Sequence, residues 1–245
     1  MKIRPDPTHQ QRLLRHIAQF ETAWGRWRQR ACLRWQRHAW RRSVRGIALA
    51  KRALDVLGSL GALLVLSPLF LVITLAIWCE DGRPAIFAQT RVGRFGRLFR
   101  IYKFRSMHID AESRLQELLA ANHHKQGVTF KIKDDPRITR VGKWLRKFSF
   151  DELPQFFNVL TGEMSLVGPR PPLPREVALY SLADRRRLAV APGITCIWQI
   201  SGRAGIDFPG QVKLDVRYIE TQSLWQDIKI LARTIPAVAS GSGAY

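Results

Sequence analysis

The chain has 245 residues, 46% of them hydrophobic, and its 40 lysines and arginines against 19 acids give a formal net charge of +21. The hydrophobic share excludes a wholly disordered chain, and the length suits one ordinary domain with something attached. The charge calls for polyanions nearby: nucleic acid, an anionic membrane surface or phosphorylated substrates.

Residues 1–45 form a basic amphipathic extension. Residues 1–52 hold fourteen lysines and arginines against two acids, Asp6 and Glu21. Leu13, Ile17, Phe20, Trp24, Trp27, Ala31 and Trp35 recur at steps of four and three, which predicts one apolar helix face over 13–35. Trp24, Trp27, Trp35 and Trp40 among arginines suit an interfacial helix on anionic inner-leaflet lipid. A helix packed on another subunit would show the same period, and arginine with tryptophan also suits RNA. No secretory signal is evident, because the basic stretch runs too long before any apolar one.

Residues 46–80 hold the membrane segment. After Asp55, 24 uncharged residues run to Cys79, enough to cross a hydrocarbon core of about 30 Å as a helix. Ser67-Pro68 lies near the middle, where proline removes a backbone donor. A spanning helix tolerates such a proline, but basic residues flank both ends, with Arg83, Arg91, Arg94, Arg97 and Arg100 following. Positive flanks stay cytoplasmic, so the expectation is a re-entrant helix-break-helix bent at Ser67-Pro68. Asp55 is expected at the interface, paired with Lys51 or Arg52.

Residues 81–245 read as a cytoplasmic domain, α+β and mostly helical with a small β element. Alternation over 85–93 and 98–107 predicts short strands or a hairpin. Helices are predicted over 110–122, 137–148, 151–160, 181–190 and 215–235, with a proline-rich bend at 168–175. The cysteines Cys32, Cys79 and Cys196 show no zinc spacing and read as reduced thiols. His123 and His124 read as loop histidines, and the final SGSGAY as a loose tail.

The most informative stretch is 145–171. Asp151 and Glu152 sit between Arg146 and Lys147 on one side and Arg170 on the other. An isolated Asp-Glu pair is ordinarily an exposed pair in a helix turn. Among arginines, one acid can attack phosphorus, the other can hold a divalent metal, and guanidinium groups can grip phosphate oxygens.

Lys103-Phe104-Arg105-Ser106-Met107, Asp135-Pro136-Arg137-Ile138-Thr139-Arg140-Val141-Gly142, the 149–171 run, Pro192-Gly193-Ile194-Thr195, Trp198-Gln199-Ile200-Ser201-Gly202-Arg203 and Leu214-Asp215-Val216-Arg217-Tyr218-Ile219 follow in that order. Over residues 50–245 this resembles the bacterial sugar transferases, the monotopic phosphoglycosyl transferases that start lipid-linked exopolysaccharide, capsule and O-antigen assembly. The resemblance implies transfer of a sugar-1-phosphate from a UDP-sugar to undecaprenyl phosphate at the inner membrane's cytoplasmic face, with release of UMP. It implies Asp151 as nucleophile, Glu152 as the Mg²⁺ ligand, and Arg146, Arg170 and Arg203 as phosphate contacts. Lys103 and Asp227 also fall at positions the family treats as functional, and Asp215 is a further candidate substrate contact. Against that, Asp227 could be a surface acid beside Lys229, and Asp215 a cap or salt bridge. The ending resembles the exopolysaccharide branch that uses UDP-glucose or UDP-galactose. A homodimer is allowed, and no nucleic-acid partner is expected. The rival reading is a basic membrane-associated nucleic-acid-binding or scaffold protein whose acidic pair is structural.

Overall fold

The computed structural model describes residues 23–111, 113, 135–202 and 205–240. The chain divides into two compact units, residues 1–50 and 51–245. Helix α1, Ala23–Asp81, is 59 residues long. In the first unit its described part exposes Trp24, Trp27 and Trp35, with the Arg28 guanidinium 4.9 Å from the Trp24 ring centroid. The predicted helix over 13–22 and the tail from 241 lie outside the described residues.

Arg45–Asp81 is long and apolar enough to cross a membrane, with a mean hydropathy of 2.6. The expected break at Ser67-Pro68 does not interrupt it, because α1 runs on through Pro68. The reason is local. Proline 68 cannot donate to the carbonyl of Leu64, and Ser67 Oγ donates to that carbonyl instead, at 2.8 Å. Leu64, Val65, Leu71 and Val72 are more than half exposed along this stretch.

Within the second unit, the start of that stretch is fastened by polar groups. Lys51 donates to Asp227 Oδ2 at 2.7 Å and to the Val167 carbonyl at 3.2 Å. Arg52 donates to the carbonyls of Val159 and Leu160 at 2.6 and 2.7 Å. Asp55 therefore pairs with neither, contrary to expectation. It is buried and accepts from Ser165 Oγ at 3.0 Å and the Leu166 N–H at 2.9 Å. Two donors satisfy a carboxylate that has left water, which an interfacial position would not require.

Strands β1 (Ile86–Val92) and β2 (Leu98–Phe104) form the predicted antiparallel hairpin, with Phe87 opposite Lys103 and Arg91 opposite Phe99. Side chains alternate across a strand, so Phe87, Gln89, Arg91, Ile101 and Lys103 share one face. Helix α2, Arg140–Lys147, follows the Thr139 cap, whose Oγ1 accepts the Gly142 N–H at 2.8 Å. Glu80, at the end of α1, accepts the Arg140 and Val141 N–H groups at 2.7 and 2.9 Å, so an acid sits at the positive end of α2. Gly142 is required by proximity: a Cβ there would lie 2.0 Å from the Ser106 carbonyl oxygen.

A 3₁₀ turn over Phe150–Glu152 leads to α3, Gln155–Thr161. Strand β3, Ser165–Val167, pairs in parallel with β4, Gly193–Thr195, a pairing the sequence pattern did not announce because each strand has three residues. Between them lie α4, Pro174–Ala178, and a 3₁₀ turn, Asp184–Ala189, in place of the helix expected over 181–190. The helix expected over 215–235 is two helices, α5 (Phe208–Glu220) and α6 (Leu224–Ala239). Ser223 caps the second through the Gln226 N–H, which ends one helix and starts the next. The helix expected over 110–122 lies mostly outside the described residues. One buried cluster joins Phe99, Ile101, Val159, Met164, Val167, Tyr218 and Ile230, and a second joins Ile73 and Ile77 of α1 to Phe104 and Leu145. Phe150 and Leu153, on either side of the acidic pair, pack against this second cluster.

Candidate active site

Ser149 precedes the acidic pair with a left-handed backbone, φ 55°, unusual for a residue with a Cβ. That turn halts the path of α2 and swings Asp151 inward, where it is 8% exposed. Lys103, projecting from β2, places Nζ 2.7 Å from Glu152 Oε1 and 3.8 Å from Asp151 Oδ2. Arg170 Nη1 lies 3.6 Å from Glu152 Oε1, carried by the proline-fixed bend after β3. Arg146, in the last turn of α2, donates from Nε to Ser106 Oγ at 3.0 Å and adds its charge to the field at Asp151. Lys103, Arg146, Asp151, Glu152 and Arg170 therefore all line one cleft of about 810 Å³.

The two carboxyls are driven in opposite directions. Burial raises Asp151 above the usual carboxylate range, against the pull of Lys103. Burial would also raise Glu152, but Lys103 and then Arg170 outweigh it and bring Glu152 down to about 2. Neighbouring acids with separated proton affinities can take separate roles. Glu152 stays an anion at any ordinary pH, which suits a metal ligand. Asp151 is the more basic oxygen, which suits a nucleophile.

Mg²⁺ is commonly held by one or two carboxylates together with substrate phosphates and water. Asp151 and Glu152 supply that partial set, and no group of three or more His, Cys, Asp or Glu occurs among the described residues. The donor set fits a metal that arrives with a phosphorylated ligand.

Arg91 was read only as part of the basic collar, yet it belongs to this site. It donates from Nη1 to the Pro171 carbonyl at 3.0 Å and from Nη2 to Gln89 Oε1 at 2.7 Å. Burial first, then the charge of Arg170, pushes it down to about 10. Strand alternation was the available signal, since Arg91 falls on the face of Lys103.

Two expected substrate residues are engaged elsewhere. Asp227 is 1% exposed, bound by Lys51 and by the Tyr218 hydroxyl at 2.7 Å, and does not line the cleft. Asp215 is buried against the Arg187 guanidinium, beneath the cleft wall formed by Arg187, Tyr180 and Trp198. Burial pushes its carboxyl up to about 6, against the hold of Arg187 and Trp198. Arg203 lies outside the described residues. Ser67 and Pro68 lie within α1 and take no part in the cleft.

The model of the family described as Bacterial sugar transferase matches residues 47–241. The chain belongs to that family. A galactosyl transferase, CpsE, of Streptococcus agalactiae is 53% identical over 199 residues, which is 80% of this chain and 43% of that protein. An undecaprenyl-phosphate galactose phosphotransferase of Salmonella typhimurium is 44% identical over 216 residues, 87% of this chain and 44% of that protein. The exopolysaccharide production protein ExoY of Sinorhizobium fredii is 42% identical over 200 residues, 80% of this chain and 88% of that protein. The chain thus spans under half the length of the first two relatives. Every cleft residue named above, from Arg91 to Arg170, falls inside the span that matches the sugar transferase family. Residues 1–22 lie outside the described residues, and all of residues 1–45 lie outside that span.

Proposed function

We propose that this protein transfers a sugar-1-phosphate from a UDP-sugar, UDP-glucose or UDP-galactose, to undecaprenyl phosphate, initiating a bacterial polysaccharide at the inner membrane's cytoplasmic face. The observation that carries the reading is the acidic pair held at opposed proton affinities beneath Lys103 and Arg170. Family membership and the names of the relatives support the substrate classes.

In the first step an Asp151 carboxylate oxygen attacks the sugar-proximal phosphorus. The bond from that phosphorus to the bridging oxygen breaks and UMP leaves with the electron pair. In the second step an oxygen of the lipid phosphate attacks the same phosphorus, the acyl-phosphate P–O bond breaks, and the Asp151 carboxylate is restored. Two displacements replace one difficult transfer between two phosphates. Lys103, Arg170 and Arg91 face the charge that accumulates on the phosphoryl oxygens. Bound Mg²⁺, held by Glu152, would supply further neutralisation of the diphosphate.

The membrane arrangement is part of the proposal. Basic flanks on both sides of the apolar stretch favour a segment that enters and leaves one leaflet, bent near Pro68 under lipid, with the amphipathic extension on the surface. Single cysteines at positions 10 and 120, labelled from outside intact cells, test it: reaction at only one of them establishes a spanning helix instead.

Purified protein with Mg²⁺ is expected to turn over UDP-sugar to UMP repeatedly only when polyprenyl phosphate is present, and to release at most about one UMP per Asp151 without it. Asp151→Asn is expected to abolish turnover. A near-normal rate in that variant removes the nucleophile assignment.

A further inference from the structure

The cleft has a second cationic end that the transfer chemistry at Lys103 does not use. Arg105 follows β2 and is 7% exposed. Its Nη2 donates to the carbonyls of Asp81 and Gly82 at 2.8 and 2.7 Å, which ties the guanidinium to the point where α1 ends. Asp81 carboxylate oxygens lie 3.2 Å from that Nη2 and 2.9 Å from His108 Nδ1. Arg105 Nε and Nη1 are buried with no hydrogen-bond partner among the described residues. Two unmade bonds on a buried cation are costly and point to an acceptor that completes them.

The surroundings are rigidly built. The His108 N–H donates to the Arg137 carbonyl at 2.9 Å, and the Thr139 N–H to the Ser106 carbonyl at 3.2 Å. Arg137 grips Asp135 in a two-pronged pair, and Arg146 donates to Ser106 Oγ. Three guanidinium groups, on Arg105, Arg137 and Arg146, thus lie among three carboxylates, on Asp81, Asp135 and Asp151. The same end of the cleft is walled by Pro84, Phe87, Met107 and Ile109, and Ile109 is 67% exposed. Elsewhere the lining holds Tyr180, Arg187, Gln199 and Gln211 together with the apolar Ile200, Phe208 and Val238.

A UDP-sugar is polar on both sides of its diphosphate. A prenyl phosphate joins its anion directly to an apolar chain, and that chain must come from the bilayer. Of the cleft's cationic groups beside apolar walls, Arg105 is the one tied to the point where the apolar helix ends. Resting on the transferase reading above, we propose that Arg105, Ser106 and His108 form the docking site for the acceptor's phosphate, with Phe87 and Ile109 against its first isoprene units. The acceptor then approaches Asp151 from the Arg146 side, while the donor diphosphate lies toward Lys103 and Arg170.

The test uses full-length protein in lipid nanodiscs, with steady-state kinetics varied in each substrate. Arg105→Gln and Ile109→Glu are expected to raise the KM for polyprenyl phosphate about tenfold or more while the KM for the UDP-sugar moves less than about twofold. Ile109 is a surface residue, so its variant keeps the test open if Arg105→Gln unfolds. Inorganic phosphate separates the possible sources of the anion. Ile109→Glu should leave its inhibition constant unchanged, because a free ion has no chain to meet that wall. Equal movement of both KM values, movement of neither, or an effect of Ile109→Glu on phosphate alone overturns the site while transfer stands. Absence of UMP release by the wild-type protein under every condition overturns the transferase reading, and this inference with it.

Discussion

Lys51 and Asp227 are 176 positions apart and form a 2.7 Å ion pair that fastens the start of the apolar stretch to the last described helix. The Tyr218 hydroxyl completes the cluster, donating to Asp227 at 2.7 Å. This pairing accounts for Asp227 lying away from the cleft.

Removing one partner leaves a buried charge alone. Asp227→Asn and Lys51→Met should each destabilise the protein by about 3–5 kcal/mol, seen as a lower thermal midpoint in detergent. If Asp227→Asn instead keeps its midpoint and raises only the KM for the donor, Asp227 is a substrate contact after all.

The pH profile follows from Asp151. A nucleophile must be ionised, and burial raises this carboxyl, so activity should fall on acidification at a pH above the usual aspartate range. Lys103 opposes the rise by favouring the anion. Lys103→Gln should therefore move the acid limb of kcat/KM to higher pH, besides lowering its plateau. A limb that stays put in this variant would separate Lys103 from the ionisation of Asp151.

Arg91 should matter although it is not at the acidic pair itself. It holds the Pro171 carbonyl and lends charge near Arg170. Charge-assisted hydrogen bonds contribute about 1.5–3 kcal/mol, so Arg91→Met should lower kcat/KM for the donor by roughly ten- to a hundredfold. Arg91→Lys should recover part of the charge effect but not the two-pronged contact. Full activity in Arg91→Met would make it dispensable.

Asp215 is expected to act on stability rather than on substrate binding. Asp215→Ala leaves Arg187 buried without its carboxylate and should cost about 3–5 kcal/mol, measured by denaturation. Replacing Asp215 and Arg187 together by apolar residues should recover much of that loss. A donor KM that rises without any loss of stability in Asp215→Ala would return Asp215 to the substrate site.

The hairpin, the apolar helix and the Asp151–Glu152 site were legible in the chain because each rests on local chemistry. Alternation over 85–104 specifies strands, a charge-free run specifies an apolar helix, and adjacent acids among basic residues specify a turn that sets carboxylates beside cations. The partners of Asp55 and Asp215, and Lys51 for Asp227, were not legible, since each lies tens to more than a hundred positions away in sequence. Ser67 shows the same limit at short range: proline alone signals a break, and only the bond from Ser67 Oγ to Leu64 accounts for a continuous helix.

The order of residues by itself decided which side chains could perform phosphoryl chemistry, because acidity, charge and reach belong to residue types. Packing decided which of the acids remain available for it. Burial beside Lys103 splits the proton affinities of Asp151 and Glu152, while burial against Lys51 and Arg187 engages Asp227 and Asp215 in holding the fold together.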